Sequence, residues 1–259
     1  MISCRLKGGI GNIMFQIAFI EYEGKMNKFE TGYWNVDFQI KKINDDSVHN
    51  PSLKHAEEYL EMFHNFKWHK INKPPIHKVN VPFHWEPFKI TDNTLYDGFF
   101  QSEKYFPNRS FILELFKPSN FVNQQLKKYK EILNGVTCSI HVRRGDYLNY
   151  GLHATREMNY FNKGMGIVGD VDKYLIFSDD IKWCKENLVG DKFIFIEGEK
   201  DYVELFLQSK CTHNIISSSS FSWWGAYLNT NSNKKVIGPK QWFTYEKKND
   251  IIPDSWITI

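Results

Sequence analysis

Thr137-Cys138-Ser139-Ile140-His141-Val142-Arg143-Arg144-Gly145-Asp146-Tyr147 changes character in a single step. Residues 137–142 are small, apolar or β-prone, and the residues that follow are basic, flexible and acidic. A strand covered on both faces that runs into a polar turn at its carboxyl end belongs to a parallel sheet. Downstream the rhythm repeats, with strands expected at 173–178, 192–197, 213–217 and 234–238. Helices fit between them at roughly 157–167, 180–189, 200–210 and 221–230. The strand cores Tyr174-Leu175-Ile176-Phe177 and Phe193-Ile194-Phe195-Ile196 are apolar throughout. Repeated βα alternation predicts an α/β fold with a doubly wound parallel sheet.

Upstream, residues 119–134 read as an amphipathic helix ended by Gly135, so the chain is expected to divide there, into 1–135 and 136–259. The first part opens on a short strand at 2–6, a turn Gly8-Gly9-Ile10-Gly11-Asn12 and an apolar helical run Met14-Phe15-Gln16-Ile17-Ala18-Phe19. Strand, glycine turn and helix form the entry of a nucleotide-binding α/β unit. Residues 35–95 are rich in Lys, His, Asn and Pro, and only 57–67 suggests a helix. Pattern alone assigns them no function.

Composition removes several classes. A formal net charge of +3 on 259 residues lacks the basic excess of a nucleic-acid binder. Apolar residues at 42% exclude a disordered chain. Aromatic content is high at 16%; core packing accounts for most of it, with stacking on sugars or bases as a further use. Cys4, Cys138, Cys184 and Cys211 form no CxxC pair, so neither a zinc ribbon nor a redox motif is suggested. The start of the chain lacks the apolar core of a signal peptide, and no window of about 18 apolar residues exists. The expected location is the cytoplasm, or the periphery of a membrane.

In an open parallel sheet, ligands sit beyond the carboxyl ends of the strands. Three polar clusters fall at such ends: His141 to Tyr147, Ser178-Asp179-Asp180, and Ser217 to Trp224. Arg143 and Arg144 are adjacent, so an extended chain points them apart; one faces a ligand, and the other pairs with Asp146 or another carboxylate. A guanidinium fork matches phosphate oxygens. Asp179-Asp180 reads as a helix cap or a contact to a ligand hydroxyl rather than a metal site. The serine run before an aromatic helix suits a phosphate or a simple N-cap. The glycine turn is neither a Walker loop nor a GxGxxG, which disfavours an NAD-type oxidoreductase.

Together these segments resemble the α-1,2-fucosyltransferases of glycosyltransferase family 11, bacterial type. The resemblance spans nearly the whole chain. It rests on Gly8 to Gln16, Asp97 to Phe106, His141-Val142-Arg143-Arg144-Gly145-Asp146-Tyr147, Phe177 to Asp180, Cys211 to Ala226 and Gly238 to Phe243. It implies a GT-B fold, two Rossmann-like domains facing across a cleft, with 1–135 on the acceptor side and 136–259 holding GDP-fucose. It implies inverting transfer of L-fucose to a glycan hydroxyl, O2 of a galactoside, with no metal or other cofactor. Another fucose linkage, another GDP-sugar or a non-catalytic GDP- or glycan-binding protein are the alternatives on this scaffold.

By position, the resemblance makes Arg143 the ligand of the GDP diphosphate and His141 and Glu204 the guanine contacts, with Glu204 standing where many relatives have Asp. Ser219 and Ser220 become phosphate-side donors, and Asp179 a donor contact. Gly9, Gly11 and Asn12 approach the diphosphate from the other domain. For the general base, the residues near the motifs are Asp146, His153, Asp97 and Glu103, with His153 preferred and Asp146 expected to orient Arg144. The acceptor, a galactose-containing oligosaccharide, is expected to meet residues 30–106.

Overall fold

The computed structural model describes residues 1–34, 62–73, 75–82, 84–151, 154–245 and 250–259. Contacts divide the chain into two units, Met1–Phe121 with Lys248–Pro253, and Val122–Lys247 with Asp254–Ile259.

In the first unit, β1 (Ile2–Arg5) leads through the glycine turn into α1 (Ile10–Asn27), followed by β2 (Thr31–Trp34), β3 (Lys70–Ile71), β4 (His77–Asn80) and β5 (Thr94–Asp97). The strands form one sheet in the order β3-β2-β1-β5-β4, and every pairing is parallel. Only β1 was expected from pattern, because a glycine turn and an apolar helical run follow it; the other strands, of two to four residues, have no such neighbour and are too short for periodicity to register. The helix expected at 57–67 lies partly outside the described residues; beyond Met62 the chain is not helical. There Phe66 and Trp68 lie 4.8 Å apart and pack on Tyr33.

Aromatic content goes largely into the core. Phe19, on the inner face of α1, stacks on Phe100 at 4.0 Å and meets Tyr96 and Tyr105 edge-on. A short helix, α2 (Arg109–Leu115), is capped by Asn108, whose Oδ1 accepts from the Phe111 amide at 3.0 Å.

The chain passes from the first unit to the second within α3 (Asn120–Leu126), which runs into a 3-10 turn at Lys127–Tyr129 instead of continuing to residue 134. That turn buries Tyr129 beside Leu126 and sends Lys128 to Glu199 at 2.5 Å. The Lys173 ammonium donates to the Glu131 carbonyl. These contacts tie residues 122–135 to the second unit, so the division comes earlier than Gly135.

The second unit matches the expected alternation closely. It contains β6 (Thr137–Val142), α4 (Tyr147–Tyr150), α5 (Met158–Val168), β7 (Lys173–Ser178), α6 (Ile181–Asn187) and β8 (Phe193–Phe195). Then come α7 (Asp201–Lys210), β9 (His213–Ile215), α8 (Ser220–Tyr227), β10 (Val236–Gly238) and β11 (Ile257–Thr258). The order β11-β10-β9-β6-β7-β8 is entirely parallel. It is the doubly wound arrangement, with its reversal between β6 and β9. β6 is buried along its whole length, as a strand covered on both faces must be. All four cysteines are buried free thiols. Among the described residues no helix is long and apolar enough to cross a membrane.

Candidate active site

Where the strand order reverses, two neighbouring strands send their following segments to opposite faces, and a crevice opens at their carboxyl ends. β6 and β9 are those strands here. β9 stops at Ile215, earlier than the expected 217, which leaves residues 216–219 as a loop before α8.

Side chains from three segments hold this loop. His141, the fifth residue of β6, places its Nδ1 2.7 Å from the Ser217 hydroxyl. The Tyr147 hydroxyl donates to the Ser218 carbonyl at 3.1 Å, and the Tyr160 hydroxyl to the Ile216 carbonyl at 2.6 Å. His141 is buried and packs against Phe221. Burial, reinforced by the Arg143 charge, pushes its pKa down to about 3. It is therefore a neutral hydrogen-bonding group at every ordinary pH.

α8 begins without a side-chain cap, and Ser219 at its N-cap position is extended. The first N–H groups of a helix have no partner within it. Neither the Ser219 nor the Ser220 hydroxyl bonds to another described residue. The amides and hydroxyls of this edge can all donate, which suits an anion. The Asp180 side chain does cap α6, accepting from the Trp183 amide at 3.2 Å, which agrees with the cap reading of the acidic pair.

The basic turn after β6 differs from expectation in its pairing. Asp146 was expected to hold Arg144, yet its carboxylate binds Arg143. Arg143 also reaches Asp179 at 2.9 Å and lies over the Tyr147 ring. Arg144 leaves in the other direction, to Asp180 at 3.2 Å and Glu157 at 3.5 Å, and stacks on Trp183 at 4.2 Å. The i, i+3 turn brings residues 143 and 146 to one side, so adjacency in sequence does not decide the partner. Asp146 is thereby engaged by a guanidinium.

Asp179 also accepts from the Arg144 amide at 2.9 Å. The chain passes close above it at Gly145: an added methyl carbon would lie 3.0 Å from the Asp179 Cγ and closer to its Oδ2, so the carboxylate would have to shift. Gly145→Ala is therefore expected to displace Asp179 from Arg143 and to lower kcat/KM about 10- to 100-fold, the cost of an ångström-scale misplacement. Steady-state kinetics on a variant with unchanged circular dichroism checks this.

Glu204 lies in the first turn of α7 with no hydrogen bond or ion pair to another described residue. Burial first, then the charges of Asp201 and Glu199, push its pKa up to about 8. A carboxyl group so placed lacks the donors that would satisfy its ionised form.

In the first unit, Gly9, Gly11 and Asn12 stand at the carboxyl end of β1, where that sheet reverses between β1 and β5. Gly8 takes φ +83, and an added Cβ there would strike the Asn12 side chain. The Gln16 amide brackets the turn, accepting from the Lys7 N–H and donating to the Lys7 carbonyl. Asn12 accepts from Gln101 at 2.7 Å. Asp97, at the end of β5, is buried among Lys7, Lys78 and Arg5. Burial would raise its pKa, but the hydrogen bonds and charge of Lys7 and Lys78 hold it below the usual range, so it is a weak base. His153 lies outside the described residues.

Arg156 belongs to the candidate site and had no sequence signal, being a lone arginine ahead of α5 with no motif around it. Its Nη2 donates to the Ser218 hydroxyl at 2.8 Å and to the Gln241 carbonyl.

The sequence profile of Glycosyl transferase family 11 matches residues 1–259. An Alpha-1,2-colitosyltransferase of Escherichia coli is 30% identical, covering 100% of this chain and 99% of that protein. A Galactoside 2-alpha-L-fucosyltransferase of Caenorhabditis elegans is 30% identical over 53% of this chain and 43% of its own length. Among solved structures, the fucosyltransferase NodZ from Bradyrhizobium superposes with a TM-score of 0.52 at 11% identity, covering 86% of this chain and 92% of that one. The likeness is one of fold, the GT-B class of paired Rossmann-like units, to which the two parallel sheets conform. With a match along its whole length, the chain belongs to glycosyl transferase family 11 and is a glycosyltransferase.

Proposed function

We propose that the protein transfers L-fucose from GDP-β-L-fucose to O2 of a galactoside, with inversion and without a metal. The observation that carries this reading is the donor-rich edge at the carboxyl ends of β6 and β9: the uncapped start of α8 with its serines after β9, and Arg143 in the turn after β6. As the glycosidic bond breaks, negative charge builds on the departing diphosphate, and oriented N–H groups and a guanidinium stabilise that charge. His141 and Glu204 then face the base. An ionised Glu204 accepts from N1–H and the N2 amino group of guanine, an edge adenine lacks. Asp179 positions Arg143.

A pH dependence follows. With a folded pKa of about 8, above the unfolded value near 4.5, Glu204 is mostly protonated in the ligand-free protein at neutral pH. Its ionisation therefore costs stability progressively as pH rises through that window. Guanine selects the ionised form, so GDP binding is expected to tighten from pH 6 to 8 and to release a proton. Calorimetry in buffers of different ionisation enthalpy measures that proton, and Glu204→Gln should abolish the release.

The name of the E. coli relative favours a second reading, in which the donor sugar is colitose, a 3,6-dideoxy sugar that lacks one fucose hydroxyl. A site that hydrogen-bonds a hydroxyl rejects the analogue without it far more strongly than an apolar site rejects an extra one. Comparing kcat/KM for GDP-fucose and GDP-colitose decides between them: the proposal expects preference for GDP-fucose, and preference for GDP-colitose overturns it.

A further inference from the structure

The two arginines of the β6 turn are each matched by two carboxylates, Arg143 by Asp146 and Asp179, Arg144 by Asp180 and Glu157. A donor diphosphate entering beside them meets a turn whose positive charge is already neutralised. Arg156 differs. Among the described residues it has no carboxylate partner, and its contacts are neutral: the Ser218 hydroxyl, the Gln241 carbonyl and the face of Tyr160. Its Nε is buried and makes no hydrogen bond. Burial shifts its pKa downward, yet a guanidinium remains charged at any ordinary pH.

A partly buried cation without a counter-ion is costly, as is an orphaned N–H. In a folded chain both are expected to have a use. The place of Arg156 supplies one. Ser218 lies in the loop at the reversal of the sheet and is almost fully buried. The residues after it are the uncapped start of α8. Tyr160, beneath the guanidinium, is fixed by its bond to the Ile216 carbonyl, so Arg156 is held at the loop from below.

We infer that Arg156 is a phosphate-binding residue of the donor site, its counter-ion being the diphosphate of the sugar nucleotide. The inference rests on the donor reading above and adds a residue to it. Arg156 supplies the net positive charge that Arg143 and Arg144 do not, and it anchors the serine loop in the geometry that presents the α8 amides.

The test is binding of three ligands, GDP, guanosine and inorganic pyrophosphate, to the parent chain, Arg156→Gln and Arg156→Lys. Glutamine keeps a donor for Ser218 or Gln241 and removes the charge. The expected result is GDP and pyrophosphate binding weakened about 10- to 100-fold in Arg156→Gln, the worth of one or two charged hydrogen bonds. Guanosine affinity should be unchanged, and Arg156→Lys should fall between. Equal GDP affinity in Arg156→Gln and the parent overturns the inference. So does an equal loss for guanosine, which would mark a purely structural role. If circular dichroism shows Arg156→Gln unfolded, the lysine variant decides by the same split between GDP and guanosine. A parent chain that binds neither GDP nor guanosine overturns the donor reading itself, and this inference with it.

Discussion

Arg143→Ala is expected to retain its fold and to lose turnover by at least 100- to 1000-fold, the cost of removing one preorganised donor from a developing negative charge. The setting makes the loss larger than that of an isolated donor. Arg143 stands between Asp146 and Asp179, so its removal leaves two carboxylates facing the diphosphate without compensation. The double variant Arg143→Ala/Asp146→Asn should then recover part of the loss, because it removes one source of repulsion. Stopped-time assays with the sugar nucleotide, alongside thermal melts of each variant, measure both effects. A single variant with near-normal turnover removes Arg143 from the mechanism. A double variant no better than the single one removes the repulsion argument alone.

The second large effect concerns the helix that carries the serine edge. Trp223 in α8 is fully buried. It stacks on Tyr227 at 4.6 Å and meets Trp224 at 4.9 Å and Trp256 at 5.5 Å. Trp256 precedes β11, so this cluster fastens α8 to the far edge of the sheet. Truncating a fully buried tryptophan costs about 3–5 kcal/mol. Trp223→Ala should lower the midpoint of thermal unfolding by roughly 10 °C and weaken GDP binding wherever the helix start loosens. Trp223→Phe keeps a ring in the stack and should lose less than half as much. Equal melting temperatures for the alanine variant and the parent would show that α8 is fastened by something else.

The second unit was readable in sequence because its strands are buried on both faces. A strand such as Thr137–Val142 is buried throughout, and the turn that ends it carries two arginines and an aspartate. Each βα boundary is then a sharp change in composition. The first unit was not readable in that way. Strands such as Lys70–Ile71 and His77–Asn80 are short and largely exposed, so no period develops, and their parallel pairing is visible only in three dimensions.

The candidate site divides along similar lines. Arg143, His141, Ser219 and Ser220 stand out because strand ends and helix starts are local features. The partner of Asp146 did not, because a turn, not spacing along an extended chain, decides which arginine it meets. Arg156 gave no local signal at all. Its significance comes from Ser218 and Gln241, and from the carboxylates that surround the other two arginines and leave it alone. Glu204 was placed by resemblance; the burial that raises its pKa is a property of the folded chain.

The central claim, inverting transfer of a 6-deoxy sugar from a GDP donor without a metal, is tested most directly by one product analysis. The protein is incubated with GDP-β-L-fucose, a galactoside and excess EDTA, and the product is characterised by NMR. The account predicts an α-L-fucosyl residue on O2 of galactose, formed at the same rate with and without the chelator. A β-linked product, or transfer that stops in EDTA and returns with a divalent cation, would contradict it.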